Sequence, residues 1–292
     1  MTDGSIGGTR DRKAGLVAFG IVQIVIGLTC IALLFGVVAG NELAIRAGAS
    51  PGSVASLVFV YGVLAFHFIV NGTGSMRARR WARAVSAAVA ALWLAGGAVA
   101  TVATVVVVPK IAPHTPLTRI AVMMLIVFIV LPLVLMMFYA RGDVRMTCER
   151  RDRPRWTDRV PLPVLALVLV MAFFAAWLLV NLSSPAVPMF GTILTGAEAS
   201  LTLLILAGVC GVLAVQLYRL KEAAWWSVLL LQIIGCVLAG STMARTPGPV
   251  YRDPVVWTIV IATWVGYFAF LIYVRRYFAG GRGGRPHVVA AT

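Results

Sequence analysis

The chain has 292 residues, of which 61% are hydrophobic and only 12% charged, and its mean hydropathy is +0.95. Soluble domains are about 45–50% apolar and about 25% charged, so a water-soluble fold cannot hide this much apolar surface and lipid must solvate much of it. The formal charge of +15 would suit nucleic acid in a soluble protein; in a membrane chain it belongs on the loops that stay in the cytoplasm, and no nucleic-acid partner is expected.

A spanning helix needs about 20 mostly apolar residues. Eight segments qualify: 15–39, 54–70, 82–108, 120–140, 160–180, 192–217, 223–240 and 255–274. Arg10, Arg12 and Lys13 precede the first, as in a signal peptide. Its apolar run of about 25 residues exceeds the 7–15 of a signal core, which makes it a retained span. The stretch 181–200 (NLSSPAVPMFGTILTGAEAS) is only moderately apolar and is expected to hold an interfacial or re-entrant piece. The expected fold is all-α: a polytopic membrane protein with eight transmembrane helices.

Lys and Arg alternate strictly from loop to loop. Twenty lie on the side of the two termini and the even-numbered loops, against Arg46, Lys110, Arg119, Arg245 and Arg252 on the other. The positive-inside rule then places both termini in the cytoplasm, and the expected home is a cytoplasmic (inner) membrane. Trp81, Tyr139, Trp156, Trp225 and Trp226 fall at the same predicted interface, the depth that amphipathic rings prefer.

The two halves resemble each other. At an offset of 144 residues Trp81 meets Trp225, Arg77 meets Lys221, and Leu94, Ala95 and Gly96 meet Leu238, Ala239 and Gly240. Four spans is an even number, so two such copies share an orientation and form a parallel repeat. The expected organisation is a four-helix half at 1–146, a cytoplasmic linker at 147–160, a second four-helix half at 161–278 and a flexible basic tail at 279–292.

Chemistry-bearing residues are sparse within the spans. All ten Asp and Glu lie in loops, tails or span ends, which argues against proton coupling through a buried acid. His67 and Asn71 are spaced i, i+4 on one helical face. Gln23 lies in a row with Gly20, Gly27 and Cys30, and Gln232 in a row with Cys236 and Ala239; Thr258, Ala262 and Gly266 form a small-residue row in the last span. Gln23, His67, Asn71 and Gln232 are the candidate polar contacts of a cavity, weighed against plain helix packing through the same small residues. No hydrolase, zinc-protease or nucleotide-binding motif occurs. The four cysteines contain no C-x-x-C, so neither a disulfide framework nor a zinc site is expected, and no cofactor or enzymatic activity is.

The densest charge lies at 147–163 (TCERRDRPRWTDRVPLP). Cys148 sits among cations that would favour a thiolate, yet no histidine is near in sequence. Arg150, Arg151, Arg153, Arg155, Trp156 and Arg159 suit anionic lipid headgroups on the cytoplasmic side, while the interleaved acids suggest local ion pairs. Pro154, Pro161 and Pro163 stiffen the entry to the fifth span. From Tyr139 through Arg145, Thr147-Cys148-Glu149 and Pro154-Arg155-Trp156-Thr157-Asp158-Arg159 to Pro161-Leu162-Pro163, the run resembles a segment of a family of uncharacterised bacterial multi-span membrane proteins. The resemblance implies membrane residence and a two-part layout, and carries no activity.

Two functions are therefore expected. The first is a non-enzymatic membrane scaffold, subunit or modulator that works against lipids, another membrane protein or further copies of itself. The second is a carrier of a small solute or lipid, with its site between the two halves.

Overall fold

The computed structural model of the chain describes residues 11–40, 51–111, 116–153, 156–246 and 253–278, with backbone alone at 51–53, 110 and 111. Eight helical segments among them are long and apolar enough to cross a membrane, so the protein is an all-α, multi-span membrane protein. The helices are α1 (Lys13–Ala39), α2 (Pro51–Met76), α3 (Arg80–Ile111), α4 (Leu117–Leu125), α5 (Leu131–Tyr139), α6 (Gly142–Arg151), α7 (Leu162–Val180), α8 (Gly196–Tyr218), α9 (Glu222–Arg245) and α10 (Pro254–Arg275). α4 and α5 are one span, Leu117–Tyr139, joined through a π-helical turn at Ile126–Val130. Pro132 follows one residue after it: it has no N–H to donate and its ring crowds the preceding turn, and a π turn absorbs the mismatch.

The chain forms two compact units. Unit 1 is Met1–Ala95 with Ile126–Leu162, and unit 2 is Gly96–Leu125 with Pro163–Thr292. The chain changes unit three times: inside α3 at Ala95–Gly96, at the start of the π turn, and at Leu162–Pro163. The described part of the 147–160 segment belongs to unit 1; Arg155 and the 279–292 tail lie outside the described residues.

In unit 1, α1 lies directly on α2. A Cβ on Gly20 would come within 2.8 Å of the Gly72 carbonyl oxygen, one on Gly72 within 2.6 Å of the Gly20 carbonyl oxygen, and one on Gly27 within 3.1 Å of the Ala65 carbonyl oxygen. Glycine lets the two backbones meet, and in lipid such close packing is a main source of helix association. The expected row on α1 is the buried one: Leu16, Gly20, Gln23, Gly27 and Cys30 all face inward. A core of Leu16, Ala87, Leu135, Phe138, Tyr139, Val144 and Cys148 continues it, with Phe19 stacked on Phe138 at 4.2 Å between ring centres.

In unit 2, Ala199, Leu203, Ala207, Cys210, Ala214 and Leu217 form the buried stripe of α8, at the spacing of one helical face. The indole of Trp225 on α9 donates to the Leu271 carbonyl of α10 at 2.9 Å, and the Arg275 guanidinium lies over the rings of Trp225 and Trp226. Asp253 caps α10 by accepting from the Val255 N–H at 2.8 Å, ahead of Pro254 in the first turn, the usual chemistry of a helix start.

The 181–200 stretch contains a short β-hairpin. β1 (Ala186–Met189) pairs antiparallel with β2 (Thr192–Thr195), with Met189 opposite Thr192. Its two-residue loop is Phe190-Gly191, at φ +49° and +89°, the positive-φ pair that a tight hairpin requires. Arg245 on α9 clamps it by donating from Nη1 to the Phe190 carbonyl, and the Gly191 N–H donates to Thr242 Oγ1. The sixth span consequently begins at Gly196 rather than at 192, because 192–195 are used by the strand.

Two interhelical turns are built alike. Arg77-Ala78-Arg79 joins α2 to α3, and Arg219-Leu220-Lys221 joins α8 to α9. In each the middle residue is left-handed, Ala78 at φ +51° and Leu220 at φ +54°. In each the three N–H groups donate to carbonyls four, three and five residues back: Arg77 to Thr73, Ala78 to Ser75 and Arg79 to Gly74; Arg219 to Val215, Leu220 to Leu217 and Lys221 to Gln216. This is the helix-ending pattern that glycine normally closes. A side chain in the left-handed region costs about 1 kcal/mol or more, so Leu220→Gly is expected to stabilise the protein by about 1 kcal/mol, read as a higher midpoint of unfolding in detergent.

Candidate functional site

Among the described residues the candidate site is a polar cluster buried in the apolar interior of unit 1. The i, i+4 step that joins His67 to Asn71 continues to Ser75, so Asn71 and Ser75 share one face of α2, and both are 1% exposed. Ser86 enters from α3, Gln23 from α1 and Tyr139 from the end of α5. Gln23 Nε2 donates to Ser86 Oγ at 3.0 Å, and Asn71 Nδ2 donates to the same oxygen at 2.7 Å. Ser75 Oγ donates to the Leu16 carbonyl at 3.2 Å and lies 2.6 Å from Tyr139 Oη. Ser75 has one hydroxyl hydrogen and it is used on Leu16, so Tyr139 is the donor in that pair.

Ser86 accepts two N–H groups and so uses both of its lone pairs. Gln23 Oε1 and Asn71 Oδ1 remain buried with no donor, and an unmatched buried polar atom costs about 1–3 kcal/mol. Ser86→Ala would strand the two amide N–H groups as well. It is expected to lower stability by about 2–3 kcal/mol in a denaturation series, well above the ~0.6 kcal/mol average for one interhelical hydrogen bond.

Of the four polar residues expected to share a cavity, the structure brings Gln23 and Asn71 together through Ser86. His67 is half-buried on α2, its ring edge-on to Phe68 at 5.2 Å, and no hydrogen bond joins it to the cluster. Gln232 belongs to unit 2, where its amide donates to Cys236 Sγ one turn on at 3.4 Å. Sequence reasoning missed Ser75, Ser86 and Tyr139. The signal for Ser75 was the continued four-residue step; nothing in the sequence joined Ser86 or Tyr139 to that row.

A second polar assembly lies at the end of unit 1 that carries the charged run. Asp152, with a side chain 2% exposed, accepts from Arg79 Nη1 at 2.8 Å and from the Arg80 backbone N–H at 3.2 Å. It thereby caps the start of α3 from another helix. Arg80 replies with Nε to the Asp152 carbonyl at 2.9 Å and Nη2 to the Glu149 carbonyl at 2.7 Å, satisfying the C-terminal carbonyls of α6 with a cation where the helix dipole favours one. Arg151 pairs with Asp11 at 2.8 Å, and Arg12 with Asp143 at 3.5 Å. Arg151 holds the Asp11 carboxyl below its ordinary value. Arg145, just ahead of the charged run, pairs with Glu149 within it at 2.7 Å, while Arg151 ties the run to Asp11 and Asp152 ties it to the α2–α3 turn. Arg150, Arg153, Trp156 and Arg159 are exposed.

Cys148 is fully buried in the core beneath this assembly, and burial pushes its thiol up to about 11. Desolvation outweighs the cations around it, so the group is a thiol at neutral pH. No cluster of three or more His, Cys, Asp or Glu suited to a metal ion occurs among the described residues.

No protein-family model, no curated protein and no solved structure matches the chain.

Proposed function

We propose that the protein is a non-enzymatic scaffold, subunit or modulator of a bacterial cytoplasmic membrane that binds another membrane protein or further copies of itself through unit 2. The observation that carries this reading is the small-residue row Thr258, Ala262 and Gly266 on α10, which is exposed. No atom lies within 4 Å of where a Cβ on Gly266 would be, and the same holds for Gly208, Gly211 and Gly235. Glycine costs a helix about 1 kcal/mol relative to alanine, and in membranes small-residue rows serve close helix approach. In unit 1 such rows are filled by α2; on α10 the row is free to receive a partner helix.

The excess of Lys and Arg on alternate loops supports cytoplasmic termini. The matched turns at Ala78 and Leu220 support a repeat of the α2–α3 pair in α8–α9, at an offset of 142 residues rather than the 144 of the tryptophans. The likeness of 139–163 to bacterial multi-span proteins supports the bacterial setting.

The test is a single-cysteine Ala262→Cys variant, in a background with Cys30, Cys148, Cys210 and Cys236 replaced, oxidised in native membranes. A disulfide-linked dimer or a discrete adduct, lost in Gly266→Leu, is the expected result. A protein that stays monomeric and unlinked under gentle extraction contradicts the reading.

A carrier is the second reading, favoured by Gln23 Oε1 and Asn71 Oδ1, buried oxygens able to accept from a solute's donors. It would be recognised by transport into vesicles that Asn71→Leu abolishes.

A further inference from the structure

Beside the buried cluster, unit 1 has a groove of about 290 Å³ lined by Ile69, Val70, Thr73, Gly74, Arg77, Arg79 and Trp81. It lies at the α2–α3 turn, where the span Val54–Met76 ends, so one end of the groove is at headgroup depth and the other runs along the hydrocarbon. Its chemistry follows the same gradient. Ile69 and Val70 supply an aliphatic wall within the span, Trp81 an interfacial ring, and Arg77 and Arg79 two cations at the polar mouth.

The groove exists because α2 has glycine at position 74. A Cβ there would stand 2.7 Å from the Trp81 ring, so Gly74 lets the indole lie against α2 and form the wall. The thiol, carboxylate and histidine inventory of the groove is nil: its polar groups are the Thr73 hydroxyl, the Arg77 and Arg79 guanidinium groups and the Trp81 indole N–H. The Thr73 hydroxyl already donates to the Ile69 carbonyl at 2.8 Å. Arg79 is held in place by Asp152 through Nη1, which leaves the rest of its planar fork for a second anion. Arg77 is exposed and forms no ion pair among the described residues. Asp152 accepts from Arg79 Nη1 and the Arg80 N–H, and Asp158 lies 3.9 Å from Arg80; neither carboxylate pairs with Arg77. The mouth of the groove keeps an excess of positive charge.

We infer that this groove binds an anionic phospholipid, with the phosphate between Arg77 and Arg79 and the first methylenes of an acyl chain along Ile69, Val70 and Trp81. Charge complementarity sets the headgroup, and the continuous apolar wall sets a lipid rather than a free anion. The lipid site lies in the α2–α3 turn and not in the 150–159 run, where Asp152 and the Arg151–Asp11 pair already organise much of the charge.

The experiment uses the purified full chain in detergent, with unfolding followed as phosphatidylglycerol is added. Phosphatidylcholine serves as the zwitterionic comparison and glycerol 3-phosphate as the anion without chains. Phosphatidylglycerol is expected to raise the unfolding midpoint. Arg77→Ala is expected to weaken its apparent affinity about fivefold, the factor one headgroup-level cation contributes; Arg153→Ala, an exposed arginine outside the groove, is expected to change it less than about twofold. Brominated phosphatidylglycerol should quench a fraction of the tryptophan emission that disappears in Trp81→Phe. Equal losses in Arg77→Ala and Arg153→Ala would reduce the effect to diffuse charge and overturn the site. So would an equal shift with phosphatidylcholine, or the full shift with glycerol 3-phosphate alone.

Discussion

Gly72→Leu is expected to produce the largest loss of stability of any single substitution in α2. A Cβ at position 72 already falls 2.6 Å from the Gly20 carbonyl oxygen and 3.2 Å from the Gln23 Cβ. The obstacle is backbone, which cannot rotate away as a side chain can. Overpacking typically costs about 1–3 kcal/mol, occasionally more; here the helices themselves must part, so about 3 kcal/mol or more is expected. Separation of α1 from α2 would also strain the Gln23–Ser86 bond, since Gln23 lies against Gly72 in this seam. The comparison is Gly235→Ala, at a position with no atom within 4 Å, which should be neutral or gain up to about 1 kcal/mol from helix propensity. Denaturant midpoints of the two variants in the same detergent make the check. Equal effects would mean that the α1–α2 contact is looser than described.

Asp152→Ala is the second large effect. Removing the carboxylate leaves the Arg79 guanidinium and the Arg80 N–H without their acceptor in a place where Asp152 is almost wholly buried. Breaking a buried ion pair costs about 3–5 kcal/mol. Because the Arg79 side chain is 39% exposed and water can partly replace its partner, about 2–3 kcal/mol is expected. Asp152→Asn keeps an oxygen for one of the two donors and should lose roughly half as much. A double-mutant cycle with Arg79→Ala measures the coupling, which should exceed that of the exposed Arg145–Glu149 pair, worth about 0.3–0.5 kcal/mol as an i, i+4 pair. The same variants carry a structural signature: the end of α6 loses its carboxylate tie to α3 and keeps the Arg80 bonds to the Asp152 and Glu149 carbonyls, so protease cleavage near residues 150–153 should accelerate in Asp152→Ala and not in Glu149→Ala.

These two sites show how differently parts of the protein could be read in advance. The Gly20, Gln23, Gly27 row stands out in the sequence as small residues at helical spacing, and it is buried as that pattern suggests. The identical logic applied to Thr258, Ala262 and Gly266 gives the same expectation, yet that row is exposed. Periodicity states which residues share a face; it does not state what the face meets. The charged run shows a related limit. Its alternating Arg and Asp looked self-contained, but Asp152 bonds residues 72 and 73 positions away, and no local pattern encodes a partner at that distance.

What the amino-acid sequence determined by itself is the solvent, the helical form of the spans and their number. Lipid excludes unpaired backbone groups, so runs of about 20 apolar residues must be helices, and eight of them occur among the described residues. The hairpin at 186–195 escaped because four-residue strands leave almost no periodic signal, and its Phe190-Gly191 loop is a weak turn signature. Only the tertiary structure decided which polar side chains meet. Ser86 joins Gln23 and Asn71 because three separate helices converge there, with Tyr139 and Ser75 beside them. Such convergence depends on the rotation and depth of each helix, set by glycine-scale contacts such as Gly20 on Gly72, and hydropathy is blind to distances of that size.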